Sequence, residues 1–285
     1  MLAPQVNGAL AGGGPVLGSS RAVRGLSIGI RVNAVDGRLP DLANVRLSSA
    51  GIVQSTIPTK KVPVPAPTLD VALGLFPGVF VGVQRILAID ALVNVAYIPN
   101  RDIEDFSVKT TNGSLKLGYG ARVGLLTDRM MMPAVAVSYF RRSLPTATFS
   151  TTFSSNVSGV VTQDSLSLTR LSIRNDALRL SASKKLGFIE IGGGVGQDRY
   201  RTFTSLNASV SPAIGLPQKG SFTLTQEVKR NAAYGSFALN FFKLRLGAEA
   251  GSTFGGDSIA TYNTFTDGKL NRQRLFGSAG LRLSF

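Results

Sequence analysis

The closing segment of the chain, QRLFGSAGLRLSF, alternates between apolar and polar positions, and this pattern constrains the fold more than any other feature. Leu281, Leu283 and Phe285 alternate with Arg282 and Ser284. Alternation at period two places the two sets on opposite faces of a strand, whereas a helix would spread them around its axis. One face is apolar and the other carries arginine, so the segment predicts a β-strand between an apolar and a wet environment.

The same alternation recurs along the whole chain, and no segment has a convincing helical period. It predicts ten strands, near residues 24–35, 69–76, 86–98, 114–126, 132–142, 165–183, 188–203, 221–240, 243–256 and 271–285. The segment 36–68 leaves two alternatives open, because NVRLSSAGIVQST could add a hairpin and raise the number to twelve. Residues 62–67 (VPVPAP) are predicted to be loop, since proline cannot donate ladder hydrogen bonds.

Short and long polar connectors follow one another in turn. The short ones are 127–131, 184–187 and 240–243, and the long ones are 99–113, 144–163, 204–221 and 255–270. Short periplasmic turns and longer extracellular loops are typical of an outer-membrane barrel. An even number of strands returns both termini to the same end. The sequence therefore predicts an all-β fold, a closed antiparallel transmembrane β-barrel of 10–12 strands over residues 24–285, preceded by a flexible segment over residues 1–23.

Composition excludes several classes of protein. The chain has no Cys and no His, which removes disulfide scaffolds, His-dependent nucleophiles and most zinc sites. We therefore expect no catalytic residues, no metal site and no cofactor. The net charge of +15 comes from dispersed Lys and Arg, without the basic cluster that would indicate nucleic acid as a partner. No apolar run reaches the roughly 18 residues of a membrane helix, and the N-terminus does not read as an intact signal peptide.

Together these features resemble those of bacterial outer-membrane β-barrel proteins. The resemblance covers roughly residues 24–285 and rests on the alternating strands, the connector lengths and the ending Leu281-x-Leu283-x-Phe285. In that family the terminal aromatic residue is part of the signal read by the barrel-assembly machinery. The resemblance implies an integral outer-membrane location, with lipid, lipopolysaccharide and the assembly machinery as partners. The absence of Trp and the basic charge depart from the family pattern. A soluble β-sandwich and a periplasmic barrel share the alternation and are the competing folds.

If the apolar positions face lipid, the positions between them face the lumen. The bases predicted to line it are Arg31, Lys116, Arg122, Arg179, Lys243, Arg245, Arg274 and Arg282, with Lys185 as a ninth near a turn, and the acids are Asp90, Glu190 and Glu249. Nine bases against three acids leave six unmatched, and unpaired buried charge is costly. We therefore expect a hydrated lumen with a positive potential that prefers anions. In the competing interpretation, bases near turns are solvated and acids from the loops fold inward to pair with the others.

These expectations favour a passive, porin-like channel for small solutes, with anions preferred. One alternative is a transporter of hydrophobic ligands whose N-terminal segment GALAGGGPVLGSS plugs the lumen. Another is a structural barrel that contacts lipopolysaccharide phosphates through the loop cations Arg101, Lys109, Lys219 and Lys269. Enzymatic activity is not expected, because the outer-membrane enzymes that share this architecture rely on a catalytic His.

Overall fold

Ten long strands form the body of the protein. The computed structural model describes residues 25–40, 56–57, 59–82, 84–97, 101–103, 106–110, 115–129, 132–143, 146–157, 160–210, 218–256, 264–265 and 273–285. The strands are β1 Leu26–Pro40, β2 Thr59–Phe76, β3 Ala88–Tyr97, β4 Leu115–Leu126, β5 Ala134–Ser143, β6 Val160–Leu186, β7 Ile189–Val210, β8 Gln218–Phe241, β9 Leu244–Phe254 and β10 Arg274–Ser284.

Each of these strands pairs antiparallel with its neighbours in the chain. The first and last strands also pair, with Ser27 opposite Ser284 and Val35 opposite Phe276. This pairing closes the sheet and leaves the ten-strand ring without an edge. The predicted closed antiparallel barrel with an even number of strands is confirmed, and the sandwich alternative is wrong.

A path that steps from each residue to its cross-strand neighbour does not return to the residue where it began after one circuit of the barrel. A path from Asn240 on β8 runs through Arg245 on β9 and on around the barrel to Tyr200 on β7, whose partner on β8 is Val228. This stagger requires the strands to tilt relative to the barrel axis. It also places residues from distant parts of the sequence at similar heights inside the barrel.

The two faces of the strands differ in character. Outward-facing side chains form an apolar band with exposures of 36% or more, which includes Ile28, Ile30, Leu69, Val93, Leu117, Leu178, Leu180, Ile191, Val195, Phe237, Leu246, Leu281 and Leu283. Inward-facing side chains are mostly small or polar and are buried, as in β3, where burial alternates residue by residue. The predicted parity of the strands therefore matches the two faces of the barrel. No helix in the described residues is long and apolar enough to cross a membrane.

Several segments that the sequence predicted as long loops contain strands. Ala147–Val157 pairs with β6. Phe106–Thr110 then pairs with Ala147–Val157, and Arg101–Ile103 pairs with Phe106–Thr110. β5 ends opposite Arg174, so the part of β6 beyond it would otherwise be an unpaired edge. The predicted loop 204–221 is shorter than expected, because β7 and β8 stay paired as far as Val210 and Gln218.

Residues 62–67 are a strand and not the loop that the sequence predicted. They belong to β2 and pair with β1, whereas pairing of β2 with β3 begins only at Thr68. The prolines at 63, 65 and 67 occupy alternate positions, so the donors they lack all lie on one edge of the strand. The opposite edge keeps its N–H groups, and a strand with one free edge accepts proline on that side.

Four short strands, in two pairs, complete the described structure. Val79–Val81 and Gln84–Ile86 form a hairpin between β2 and β3, and Thr56–Ile57 pairs parallel with Thr264–Phe265. The short turns at 187–188 and 242–243 lie at the same end of the barrel as the start of β1 and the end of β10. There the Phe285 amide donates to the Leu26 carbonyl at 2.8 Å.

Candidate functional site

The interior of the barrel is lined by buried charged side chains. Among the described residues, seven arginines are 8% exposed or less: Arg31, Arg122, Arg142, Arg179, Arg230, Arg245 and Arg282. Five acids are equally buried: Asp70, Asp90, Glu190, Asp198 and Glu249. They face inward because each stands at the opposite parity to the apolar band of its strand. The interior is therefore positive by two charges over this set, much less than the excess of six counted from the sequence.

Two of the acids pair with an arginine on the next strand. Asp90 on β3 lies directly opposite Arg122 on β4, and the Arg122 Nε donates to the Asp90 Oδ2 at 2.9 Å. Both side chains have no exposed surface. Asp70 on β2 accepts through its Oδ1 from Arg31 Nη2 on β1 at 3.1 Å. Pairing of this kind offsets much of the cost of removing a charge from water.

Two further interior pairs link β6 with β7 and β7 with β9. Arg179 Nη2 donates to both carboxylate oxygens of Asp198, at 2.6 and 2.7 Å. Arg245 Nη2 donates to Glu190 Oε1 at 3.2 Å across the intervening strand β8. These contacts connect strands that are adjacent or separated by one, and they place buried charged side chains inside the barrel.

Arg142 is a buried arginine whose guanidinium group is incompletely satisfied. It is 2% exposed, and neither Nη1 nor Nη2 has a hydrogen-bond partner. Its cross-strand neighbours are Asn175 on β6 and Gly118 on β4, and the glycine supplies no side chain to it. A Cβ at Gly118 would lie 3.1 Å from the Arg142 Cβ. A buried guanidinium with two unsatisfied nitrogens needs water or an anion within reach.

The structure places most of the predicted lumen residues on the inward face. Arg31, Arg122, Arg179, Arg245, Arg282, Asp90, Glu190 and Glu249 are buried there. Lys116 and Arg274 share the inward parity and are half-buried. Lys185, near the end of β6, and Lys243, in the turn at 242–243, have exposed side chains, so they do not line the interior. The sequence predicts Lys243 as the first residue of a strand, whereas the structure places it in the turn at 242–243.

Four interior charges were not among the predicted lumen residues: Asp70, Asp198, Arg142 and Arg230. All four stand at the inward parity of their strands, but only Asp70 has apolar residues on both sides, so the period-two signal was clear at that position alone. Asp70 follows Leu69 and precedes Val71, and Arg142 is three residues past the outward-facing Tyr139. With Asp70 and Asp198 included, the acids of the strands themselves account for most of the pairing.

Other predictions fall outside the described residues or stay untested. The N-terminal segment 1–23, with the plug proposed for it, lies outside the described residues. The terminal residues Leu281, Leu283 and Phe285 have exposed side chains on the outer face, and their role as an assembly signal stays a prediction. Among the described residues, no group of His, Cys, Asp and Glu could hold a metal ion.

The chain has distant structural resemblances and no match by sequence. No protein-family model and no curated protein matches it. The Pseudomonas putida toluene transporter TodX aligns over 98% of this chain and 92% of its own, with 11% identity and a TM-score of 0.35. The Ralstonia pickettii toluene transporter TbuX aligns over 97% and 96%, with 10% identity and a TM-score of 0.32. The outer-membrane protein OmpT of Vibrio cholerae aligns over 92% and 97%, with 11% identity and a TM-score of 0.21. These TM-scores are too low to carry an argument about this chain.

Proposed function

We propose that the protein is an integral outer-membrane barrel that conducts small anions at low rate. Support for the membrane location comes from the inverted distribution of side chains, apolar outside and charged inside. A soluble protein rarely exposes a contiguous apolar surface of this extent, and a closed barrel satisfies every backbone group that hydrocarbon cannot. The bacterial outer membrane is the location that the family resemblance implies for such a barrel.

The single observation that carries the proposed anion preference is Arg142. Its two unsatisfied nitrogens are buried inside the barrel, where a chloride or another small anion would relieve them. Rings of arginine make a pore anion-preferring by the same electrostatic attraction. The neighbouring ion pairs fill the interior, so we expect a narrow path and a conductance far below that of a wide, water-filled porin.

The experiment is a reversal-potential measurement in planar bilayers under a KCl gradient, with refolded protein whose heat-modifiable migration on gels shows a folded barrel. We expect a small conductance with chloride preferred over potassium. Arg142→Gln should shift the reversal potential toward cation preference, because it removes a charge that no described carboxylate hydrogen-bonds. Replacing Arg122 or Arg245 would be less informative, since each would leave an unpaired buried carboxylate behind.

Lys185→Gln is the matched control for Arg142→Gln. It removes one exposed positive charge near the end of β6, beside the turn at 187–188, so the reversal potential should stay at the wild-type value. Equal shifts in both variants would assign the effect to overall charge and not to the interior site. A folded barrel without any conductance would contradict the proposal. Uptake of a monoaromatic compound into liposomes by that same preparation would then favour the hydrophobic-ligand alternative.

A further inference from the structure

A charged surface lies on the outward face of β5–β8, next to the apolar band. Its first row runs across the four strands through Arg141, Asp176, Arg199 and Lys229, each opposite the next. The second row, one step further along the strands, contains Arg174, Arg201 and Glu227, again each opposite the next. We call these seven residues the outer patch.

The outer patch begins where the apolar band ends. On β6 the next outward-facing residues from Asp176 toward the turn at 187–188 are Leu178 and Leu180. On β7 the apolar Val195 lies four residues from Arg199 in the same direction. Leu178, Leu180 and Val195 are 46–54% exposed. All seven patch residues have half-buried or exposed side chains. If the band spans the hydrocarbon, the patch lies at the height of the lipid headgroups, on the side away from both chain termini.

Ion pairs within the patch neutralise only part of its charge. Arg141 Nε lies 2.5 Å from Asp176, Arg199 Nε lies 2.5 Å from Glu227, and Arg201 Nε lies 3.2 Å from Glu227. The hydrogen bond from Arg199, followed by that from Arg201, lowers the pKa of Glu227 below its usual value, so this carboxylate is ionised at neutral pH. Two carboxylates therefore stand against five cations.

The arrangement places like charges opposite each other. Arg174 faces Arg201, and Arg199 faces Lys229, across neighbouring strands. Like charges in directly opposed positions destabilise a sheet. Neither Arg174 nor Lys229 forms an ion pair with any described residue. An anion bound between the opposed cations would reduce their repulsion. Guanidinium groups are well shaped to bind phosphate through two hydrogen bonds.

We propose that the outer patch binds the phosphorylated headgroup of a glycolipid of the lipopolysaccharide class. The net positive charge matches lipid phosphate, and the position beside the apolar band places it where a lipid embedded in the membrane carries its phosphates. This inference rests on the proposed membrane location and is independent of ion conduction. The outer patch consists of different residues from the cations that the sequence suggested for lipid contact, which are Arg101, Lys109, Lys219 and Lys269.

The test compares two double variants of the full-length refolded protein. Arg174→Gln with Lys229→Gln removes the two cations of the patch that form no described ion pair, so the fold should be kept. Lys185→Gln with Lys243→Gln removes the same charge from the turns at the other end of the barrel. Native mass spectrometry in detergent measures the affinity of each protein for lipopolysaccharide, with phosphorylated and with dephosphorylated lipid A as probes.

We expect the patch variant to bind phosphorylated lipopolysaccharide at least tenfold more weakly than wild type, because each basic residue near a lipid phosphate contributes to binding. The turn variant should bind like wild type, and wild type should bind the dephosphorylated lipid as weakly as the patch variant binds the phosphorylated one. Equal affinity for both lipids would overturn the proposal. Displacement of the lipid by an equal concentration of inorganic phosphate would also overturn it, since the site would then bind free anions.

Failure of the membrane location gives a different result. Heat-modifiable migration and protection from protease after insertion into liposomes report on the barrel in its bilayer. A protein that folds and inserts but shows no preference for phosphorylated lipid contradicts the outer patch as a lipid site. A folded protein that does not insert contradicts the proposed location itself.

Discussion

At the scale of single residues, the interior depends on charges whose partners lie far apart in the sequence. Arg31 pairs with Asp70, and Arg122 pairs with Asp90. Phe276, the one bulky residue in the polar set of the last strand, also faces inward and is 7% exposed. Gly251 stands opposite it, and a Cβ there would lie 2.6 Å from the Phe276 Cζ. The interior thus combines paired charges with an aromatic ring that small neighbours accommodate.

Asp90→Asn should destabilise the barrel strongly. The substitution leaves the Arg122 guanidinium, which has no exposed surface, without its carboxylate, and breaking a buried pair in this way costs about 3–5 kcal/mol. Urea unfolding of the protein in liposomes, followed by heat-modifiable migration, measures the change in the free energy of unfolding. Glu227→Gln is the control, because its partner Arg199 is exposed and solvent screens that pair. Similar losses in the two variants would show that burial of the interior pair adds nothing.

At the scale of strands, glycine allows charged side chains to cross between neighbours. Arg179 on β6 lies opposite Gly196 on β7. A Cβ at Gly196 would lie 2.5 Å from the Arg179 Cδ and 2.2 Å from the Leu178 carbonyl oxygen. The Arg179–Asp198 pair therefore depends on the missing side chain next to it. The run Gly192–Gly194 precedes this position, and small residues there leave room for interior side chains.

Gly196→Ala should destabilise the pairing of β6 with β7, since a backbone atom would have to shift to admit the new methyl group. Overpacking of this kind costs about 1–3 kcal/mol. Gly235→Ala on β8 is the matched control, because nothing lies within 4 Å of a Cβ at that position. The control should be neutral or more stable than wild type, through reduced freedom of the unfolded chain. The same unfolding measurement in liposomes separates the two, and an equal effect would contradict the role assigned to Gly196.

At the scale of the whole molecule, closure of β1 with β10 removes the free edges of the ring. Phe285, which follows β10, has a side chain that is 65% exposed and an amide that donates to Leu26. The phenyl ring of Phe285 contributes little buried surface to the barrel. The residue is therefore well placed to be read from outside, as the family resemblance implies for a terminal aromatic residue.

Phe285→Ser should lower the amount of assembled barrel in cells several-fold and leave refolding into detergent unchanged. The substitution keeps the backbone N–H that bonds Leu26 and removes the aromatic ring that the assembly machinery is expected to recognise. The fraction of heat-modifiable protein in outer-membrane preparations measures assembly, and the same gel after refolding measures folding. Phe242→Ala, at an exposed turn, is the control and should assemble normally. Parallel losses in cells and in detergent would mean that Phe285 acts through stability alone.

The sequence alone determined the strands, their faces and most of the interior residues. Period-two alternation is a property of neighbouring residues, so Leu281, Leu283 and Arg282 take their faces without knowledge of the rest of the chain. The same signal predicted inward positions for Arg31, Asp90 and Glu249. It also predicted an even number of strands, because the count of ten or twelve alternating segments returns both termini to one end.

Only the tertiary structure decided which charges meet and how far the strands extend. Arg245 reaches Glu190 because their partners on β8, Asn240 and Ala238, are two residues apart, and the periodicity of a single strand does not encode that register. The strand at residues 62–67 exists because β1 offers a partner on the edge where the donors remain. β6 and β7 extend as far as they do because each stays paired with the other. These outcomes depend on register between segments far apart in the chain, which closure of the barrel fixes for all strands together.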